Sequence, residues 1–449
     1  MAKSSVYNIF VSTKEKEYIL YNTFSKAVIA IDEELKRVIE DVEVTKLSPE
    51  KVHCLLNEGI LVEDDIDERK MLKTKLDAAK WTSASIQSTF TIIPTYDCNL
   101  VCPYCYVGSG RRVTEWMDDK TAEISIKFIK NTLRKFKSER VLLPFYGGEP
   151  LLNIEIVFKM LKELKPLCDR EGIEFRTNYV TNGTLITSEI VEEILNYNTT
   201  FIQVVLDGPM NIHDKRRCYK NGKGSYNDVI NAIATLKDHS FLPQIRINVD
   251  RETYDHVEEL LDDLKTRGFQ NCRIAIGVIY KLSEACVSYP FCFPEEEYSK
   301  LEKGMKKLLI KKGFRTVLDL YPNFPAVCGF VMDGSYIIDP SQDVYKCLNH
   351  IGLKNRKVGK ISEEGEFEEC FHYYDWMSRD PFLIAKCINC KILPECKGGC
   401  PAQAFRKYKT YHAPACSPKL SDIKRRILLY LEIKHPDKFS NGQIIWKDT

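Results

Sequence analysis

Between Phe90 and about Ile279 the chain alternates short apolar runs with longer amphipathic stretches, and this rhythm restricts the available folds more than any other feature. Strand-like runs fall at Phe90 to Pro94, Val141 to Tyr146, Glu174 to Val180, Phe201 to Leu206, Gln244 to Val249 and Arg273 to Val278. Helical patterns separate them at Lys120 to Phe136, Ile154 to Arg170, Ser188 to Asn196, Tyr226 to Lys237 and Tyr254 to Arg267. Repeated βα units of this length imply an α/β protein with a parallel sheet and helices outside it. We expect a partial (β/α)6 TIM-like barrel over residues 90–313. Functional residues then gather where strands end and loops begin.

The flanks read differently. In residues 1–62, extended stretches at Tyr7 to Val11, Tyr18 to Tyr21 and Ala27 to Ile31 precede two short helical patterns. The second helix has a start signal in Ser48-Pro49-Glu50 and a stop at Gly59, before an extended Ile60-Leu61-Val62. Strands, two helices and a closing strand resemble a winged-helix module. Residues 63–89 read as a charged linker and a connecting helix. Past Phe314 the helical rhythm fades and cysteines accumulate, so residues 314–418 read as loop-rich and held by metal rather than by a large core. Within residues 419–449, Leu420 to Ile433 forms a helix that stops before Pro436.

A chain of 449 residues is long enough for about two to four units. It has no apolar run near the roughly 20 residues that cross a bilayer and no export signal, so a cytoplasmic protein is expected. A net charge of +2, with both signs interspersed, argues against nucleic acid and membrane partners. Small molecules or another polypeptide remain. The 17 cysteines, an odd number, point to metal or redox chemistry, because disulfides are disfavoured in a reducing compartment.

Cys98, Cys102 and Cys105 stand in Cys-Asn-Leu-Val-Cys-Pro-Tyr-Cys, directly after the first barrel strand. Three soft thiolates at this spacing suit one iron–sulfur cluster with an open iron, or a zinc ion. Gly147-Gly148-Glu149-Pro150 follows the second strand, Val180-Thr181-Asn182-Gly183-Thr184 ends the third, and Leu206-Asp207-Gly208-Pro209 ends the fourth, ahead of His213-Asp214-Lys215-Arg216-Arg217. Together these segments resemble the radical S-adenosylmethionine family. The resemblance implies a [4Fe–4S] cluster on the three cysteines and S-adenosylmethionine on its open iron, yielding a 5′-deoxyadenosyl radical. It places Tyr104 near the adenine and Arg217 on the cofactor carboxylate. Gly147, Gly148 and Glu149 fall near its ammonium group, and Asn182 and Asp207 act as direct contacts or as turn formers. Many relatives have Ser before the Leu-Asp-Gly segment where this chain has Val204-Val205, so the resemblance does not carry over a ribose contact from that position.

A second field, Cys387-x2-Cys390-x5-Cys396-x3-Cys400 with Cys416 after a gap, follows Cys328 and Cys347. This order resembles the SPASM domain, with seven cysteines shared between two auxiliary [4Fe–4S] clusters. By position, Cys387, Cys390, Cys396 and Cys416 hold the outer cluster, and Cys328, Cys347 and Cys400 the inner one. A zinc ribbon on four of these thiolates is the alternative. The family's Gly five positions before the second inner ligand is Gln342 here, and a fourth inner ligand found in some relatives is Pro322. The inner cluster is therefore expected to have an open iron able to take a substrate thiolate, unless Cys286, Cys292 or Cys370 closes it. Cys54, Cys168, Cys218 and Cys272 read as core or surface thiols.

The N-terminal unit resembles precursor-recognition modules that capture a leader peptide as an added strand; a stabilising cap on the barrel is the other reading. The resemblance thus implies a maturase of a ribosomally made peptide, with three [4Fe–4S] clusters in all and a reducing partner such as flavodoxin or ferredoxin. Thioether formation between a cysteine sulfur and a peptide carbon is the leading reaction. Carbon–carbon crosslinking, epimerisation and sulfatase maturation are alternatives, although Leu348-Asn349 replaces the Asp that follows the second inner ligand in sulfatase maturases. An iron–sulfur electron carrier or a zinc-organised binding protein is the reading outside this class. His213, His350 and His412 are isolated and read as packing or capping residues.

Overall fold

The computed structural model describes residues 2–13, 17–41, 43–107, 114–280, 289–315, 328–416, 423–440 and 443–444. Cys286 and Pro322 lie outside the described residues. The chain divides into two compact units, one of Met1–Lys80, Leu318–Cys328 and Arg379–Thr449, the other of Trp81–Val317 and Gly329–Ser378.

The first unit begins with strands β1 (Ala2–Ser4), β2 (Asn8–Ser12), β3 (Tyr18–Asn22) and β4 (Val28–Ile31). Helices α1 (Glu33–Glu40) and α2 (Pro49–Asn57), strand β5 (Leu61–Glu63) and helix α3 (Glu68–Ile86) follow, α3 passing into the second unit at Trp81. Strands β2, β3 and β4 form an antiparallel meander, and β1 pairs with β5. Both short helices start on side-chain caps: Asp32 accepts the Leu35 N–H at 2.7 Å, and Ser48 caps α2 with Pro49 in its first turn. Alternation along the strands gives the meander two apolar faces. Leu20 and Ile31 pack with Ile39, Leu55, Ile60 and Leu61. Ile9, Val11, Ile19 and Tyr21 bury against Ile423, Ile427 and Leu431 of the helix Ile423–Lys434 and against Phe439. The N-terminal segment therefore shares a core with the C-terminal helix.

In the second unit six parallel strands lie in sequence order: β6 (Gln87–Ile92), β7 (Arg140–Phe145), β8 (Glu174–Val180), β9 (Thr199–Val205), β10 (Gln244–Val249) and β11 (Arg273–Val278). The intervening helices are α4 (Asp119–Phe136), α5 (Ile154–Glu171), α6 (Ser188–Leu195), α7 (Met210–Arg216), α8 (Tyr226–Asp238) and α9 (Val257–Thr266). The expected α/β architecture with a large parallel sheet is what forms. On one face Val141, Leu143, Phe145, Ile245, Ile247 and Val249 are wholly buried with the apolar faces of the helices. The opposite face carries Gln203, Gln244, Arg246 and Asn248, each only partly buried. Among the described residues no helix is long and apolar enough to cross a membrane.

The region read as loop-rich contains four more strands, β12 (Ser335–Ile338), β13 (Asp343–Tyr345), β14 (Gly359–Ile361) and β15 (Phe367–Glu369). Strand β12 runs parallel to β6, from Ser335 opposite Thr89 to Ile338 opposite Ile92, and the rest follow antiparallel, completing a ten-stranded sheet. Strands of three or four residues are too short to show a period, so the sequence pattern missed them. Their anchorage is apolar. Tyr336 stacks on Phe90 at 5.8 Å between ring centroids and meets Phe128 and Phe367 edge-on at 5.2 and 5.5 Å. The buried Lys346 ammonium donates to the Ser335 carbonyl at 2.6 Å and lies 4.7 Å from the centre of the Tyr336 ring.

Tyr336→Ala should cost the second unit about 3–5 kcal/mol, read as a lower denaturant midpoint; a loss below about 1 kcal/mol would show that the aromatic cluster does not fasten β12. In the β12–β13 turn, Asp339 accepts N–H groups of Ser341 and Asp343, both at 2.9 Å, and the Tyr96 hydroxyl at 3.0 Å. Burial, with repulsion from Asp343, nevertheless pushes its carboxyl up to about 7. The folded value lies above the unfolded one, so the contribution to stability is complete in acid and disappears as pH rises through about 7. Denaturation midpoints at pH 5 and pH 8 should therefore fall more in the native chain than in Asp339→Asn.

Candidate active site

The C-terminal ends of β6 to β11 surround a cavity of about 370 Å3. Cys98, Cys102 and Cys105 line it, together with Tyr104, Gly147, Gly148, Asn182 and Arg217. The loop that carries the cysteines leaves β6 and is held by backbone bonds from Tyr96 N to Glu115 O at 3.0 Å and from Val101 N to Cys218 O at 2.9 Å. Gly148 fits beneath it because it has no side chain. A Cβ there would stand 2.0 Å from the Asp97 carbonyl oxygen and 2.5 Å from that of Tyr96.

Glu149 and Asp207 are fully buried and do not line the cavity. The Glu149 carboxylate accepts the Thr181 hydroxyl at 2.7 Å and the N–H groups of Asn182 and Leu151 at 2.7 and 3.1 Å. Burial raises its pKa against these bonds. Asn182 donates to Asn99 Oδ1 at 2.8 Å and accepts the Thr184 N–H at 2.9 Å. Asp207 accepts the Tyr104 hydroxyl and the Asn248 N–H, and lies 3.9 Å from Arg217. Its own N–H donates to His213 Nδ1 at 3.3 Å, while His213 Nε2 stands 3.0 Å from Ser225 Oγ. Burial and the neighbouring Arg217 and Arg216 hold the His213 pKa well below its ordinary value, so the ring is neutral. His213 is thus a buried prop for Asp207.

The donors in the cavity suit the group that the sequence implies. Burial pushes the Cys98 thiol up to about 11 and the Cys102 thiol up to about 12, so thiolates there need bound cationic metal to hold their charge. Arg217 donates to the Tyr104 hydroxyl at 2.8 Å, yet its buried Nε has no hydrogen-bond partner among the described residues, leaving a donor for a carboxylate. Among the described residues no three Cys, His, Asp or Glu side chains already meet as a metal cage.

In the first unit the second cysteine field gathers around Arg379. Its guanidinium donates to the carbonyls of Tyr411, Ala413 and Gly398, and a backbone bridge joins Gly399 to Ala415, beside Cys400 and Cys416. Burial, then the neighbouring thiols of Cys416, Cys387 and Cys390, push the Cys396 thiol up to about 12. These four cysteines are therefore electrostatic neighbours. Cys328 belongs to the same unit as Cys400, whereas Cys347 belongs to the second unit, where it is buried. Cys168 and Cys272 are wholly buried in the apolar core, Cys54 is exposed, and Cys370 donates to the Lys357 carbonyl at 3.2 Å.

The sequence did not single out Gln203, Arg246, Asn248, Tyr106 and Tyr146, which also line the cavity. The signal was present in β10, where Ile-Arg-Ile-Asn-Val sets polar side chains at every second position of a core strand.

Residues 92–279 match the Radical SAM superfamily. Over 339 residues the chain is 24% identical to the radical SAM cyclopropyl synthase TigE of Paramaledivibacter caminithermalis, which spans 71% of this chain and 68% of that protein. Over 329 residues it is 24% identical to the cysteine-type anaerobic sulfatase-maturating enzyme of Clostridium novyi, which spans 68% of this chain and 85% of that one. The solved structure of Streptococcus suis SuiB bound to precursor peptide SuiA covers 93% of this chain and 99% of its own, with a TM-score of 0.53 and 16% identity, a likeness of fold. Gly148→Ala should displace the cysteine loop and weaken S-adenosylmethionine binding by at least about tenfold, or about 1.4 kcal/mol. Unchanged affinity in equilibrium dialysis would mean that the close approach at Gly148 does not shape the site.

Proposed function

We propose that this chain is a radical SAM enzyme that modifies a ribosomally made peptide, a reading supported by the superfamily match over residues 92–279 and by the longer similarity to a cyclopropyl synthase and a sulfatase-maturating enzyme. The observation that carries the reading is one cavity wall presenting three thiols beside the buried, incompletely partnered Arg217. Cys98, Cys102 and Cys105 would hold a [4Fe–4S] cluster, and S-adenosylmethionine bound there would supply a 5′-deoxyadenosyl radical able to abstract hydrogen. Arg217, which lines the cavity and whose buried Nε is unpartnered among the described residues, would take the cofactor carboxylate. Tyr104 is fixed for this by its bonds to Asp207 and Arg217. Gly147 and Gly148 admit the cofactor against bare backbone, and Asn182 and Glu149 brace the loops around it.

Cys387, Cys390, Cys396 and Cys416 are the proposed ligands of an outer auxiliary cluster, supported by their mutual influence on the Cys396 thiol. Cys328, Cys347 and Cys400 are assigned to an inner cluster on their sequence spacing alone. The proposed substrate chemistry is a thioether between a cysteine sulfur and a peptide carbon. The relation to a cyclopropyl synthase favours carbon–carbon bond formation as the second reading.

For peptide recognition the first unit offers two features. The meander leaves the outer sides of β2 and β4 unpaired among the described strands, which suits addition of a leader strand in a winged-helix-like module. A groove of about 940 Å3 lies beside β1 and β5, lined by the apolar Leu47, Val52 and Leu56 and by the acidic Glu63, Asp64 and Asp65. Deleting residues 1–62 would also remove Ile9 and Tyr21 from the core shared with Ile423–Lys434, so truncation would not isolate recognition.

The reading is tested by mass spectrometry of the anaerobically reconstituted, reduced enzyme with S-adenosylmethionine and the cysteine-bearing precursor encoded beside it. Loss of two hydrogens per modification, with fewer alkylatable thiols, is expected. Loss of two hydrogens with every thiol still alkylatable would replace the thioether by a carbon–carbon bond.

A further inference from the structure

Strand β10 sends Ile245, Ile247 and Val249 into the core and Gln244, Arg246 and Asn248 to the opposite face. Asn248 reaches the Tyr104 hydroxyl at 3.5 Å, so it stands close to the cysteine loop. Arg246 lies one side-chain step further back along the strand, about 7 Å from Asn248, and still lines the same cavity. Its Nε donates to Asn248 Oδ1 at 3.1 Å. The guanidinium is laid over Gly277 of the neighbouring strand, where an added Cβ would stand 1.9 Å from Nη2 and 2.2 Å from Cζ. The side chain is therefore fixed by a tether on one strand and by a missing side chain on the next.

The two arginines of this cavity differ in their surroundings. Arg217 is almost wholly buried next to Cys102 and lies 3.9 Å from Asp207. Arg246 is partly exposed to the cavity, and among the described residues no carboxylate stands within ion-pair distance of it. A guanidinium held in a cavity without a counter-charge is costly unless something brings one. Its planar fork matches a carboxylate with two parallel N–H···O bonds. The cofactor has one carboxylate, which the proposed function gives to Arg217. A carboxylate for Arg246 would then come from the substrate.

We propose that Arg246 docks a carboxylate side chain of the peptide substrate, selecting an Asp or Glu at or beside the carbon that loses hydrogen. This rests on the maturase reading above and adds to it a residue class at the reacting position.

The test uses the reconstituted full-length enzyme and the precursor encoded beside it, with each acidic core residue replaced in turn by its amide. For at least one position the amide should lower kcat/KM about tenfold or more, and anisotropy of the labelled, leaderless core peptide without reductant should show the same preference in binding. Arg246→Gln should treat acid and amide alike, and Arg246→Lys should keep part of the discrimination. Both variants should match the native chain in iron content, and the peptide series on the native enzyme stands even if a variant does not fold. Equal kcat/KM and equal binding for all amide peptides would overturn the proposal. So would Arg246→Gln that keeps the acid preference but raises KM for S-adenosylmethionine, since Arg246 would then serve the cofactor. A precursor left unmodified while 5′-deoxyadenosine forms would instead remove the maturase reading, and this inference with it.

Discussion

The Glu149 carboxylate, wholly shielded from solvent, collects the Thr181 hydroxyl and the N–H groups of Asn182 and Leu151, while its own N–H donates to the Asp97 carbonyl. One residue thereby joins the ends of β6, β7 and β8, through its backbone N–H to the cysteine loop after β6 and through its carboxylate to the segments after β7 and β8. A buried carboxylate is tolerated only where donors surround it, and here all of them come from the chain itself. The cavity's walls are set by this junction, and Gly148 lets the cysteine loop rest directly on it. On the far side Asp207 plays a comparable part, joining Tyr104, Asn248, His213 and Arg217.

A division of labour along each strand extends the same logic. One set of alternate residues closes the core beneath the helices, which stabilises the sheet by burial. The other set is released to face the cavity and can be polar. Extension of the sheet by β12 to β15 rests on aromatic packing around Tyr336, so this part of the structure has an apolar anchor of its own.

The six βα units were legible because each strand repeats an apolar face and each helix an apolar stripe; the observed bounds shift by a few residues, as at β6, which runs Gln87–Ile92. Helix α7, with seven residues, is too short to show a period. Strands β12 to β15 were hidden for the same reason, and a partnership set by β6 lies far away in sequence. Gln342, where the resembling family has glycine, adopts φ +65°, so the turn keeps its left-handed backbone with a residue that resists it by about 1–2 kcal/mol. The motif cysteines and Arg217 were legible from spacing. Arg246 and the burial of Glu149 were not, because each depends on which neighbours the sheet brings alongside.

The proposed reductive cleavage of S-adenosylmethionine takes place in the cavity at the ends of β6 to β11, on a cluster assigned to Cys98, Cys102 and Cys105. The direct measurement is anaerobic iron and sulfide analysis with 5′-deoxyadenosine detection, on the native chain and on a variant with these three cysteines changed to alanine. The native chain should yield 5′-deoxyadenosine and the variant none, with the loss of one cluster's iron and sulfide while the remainder stays bound. Equal iron and sulfide in both, with no 5′-deoxyadenosine from either, would contradict this assignment.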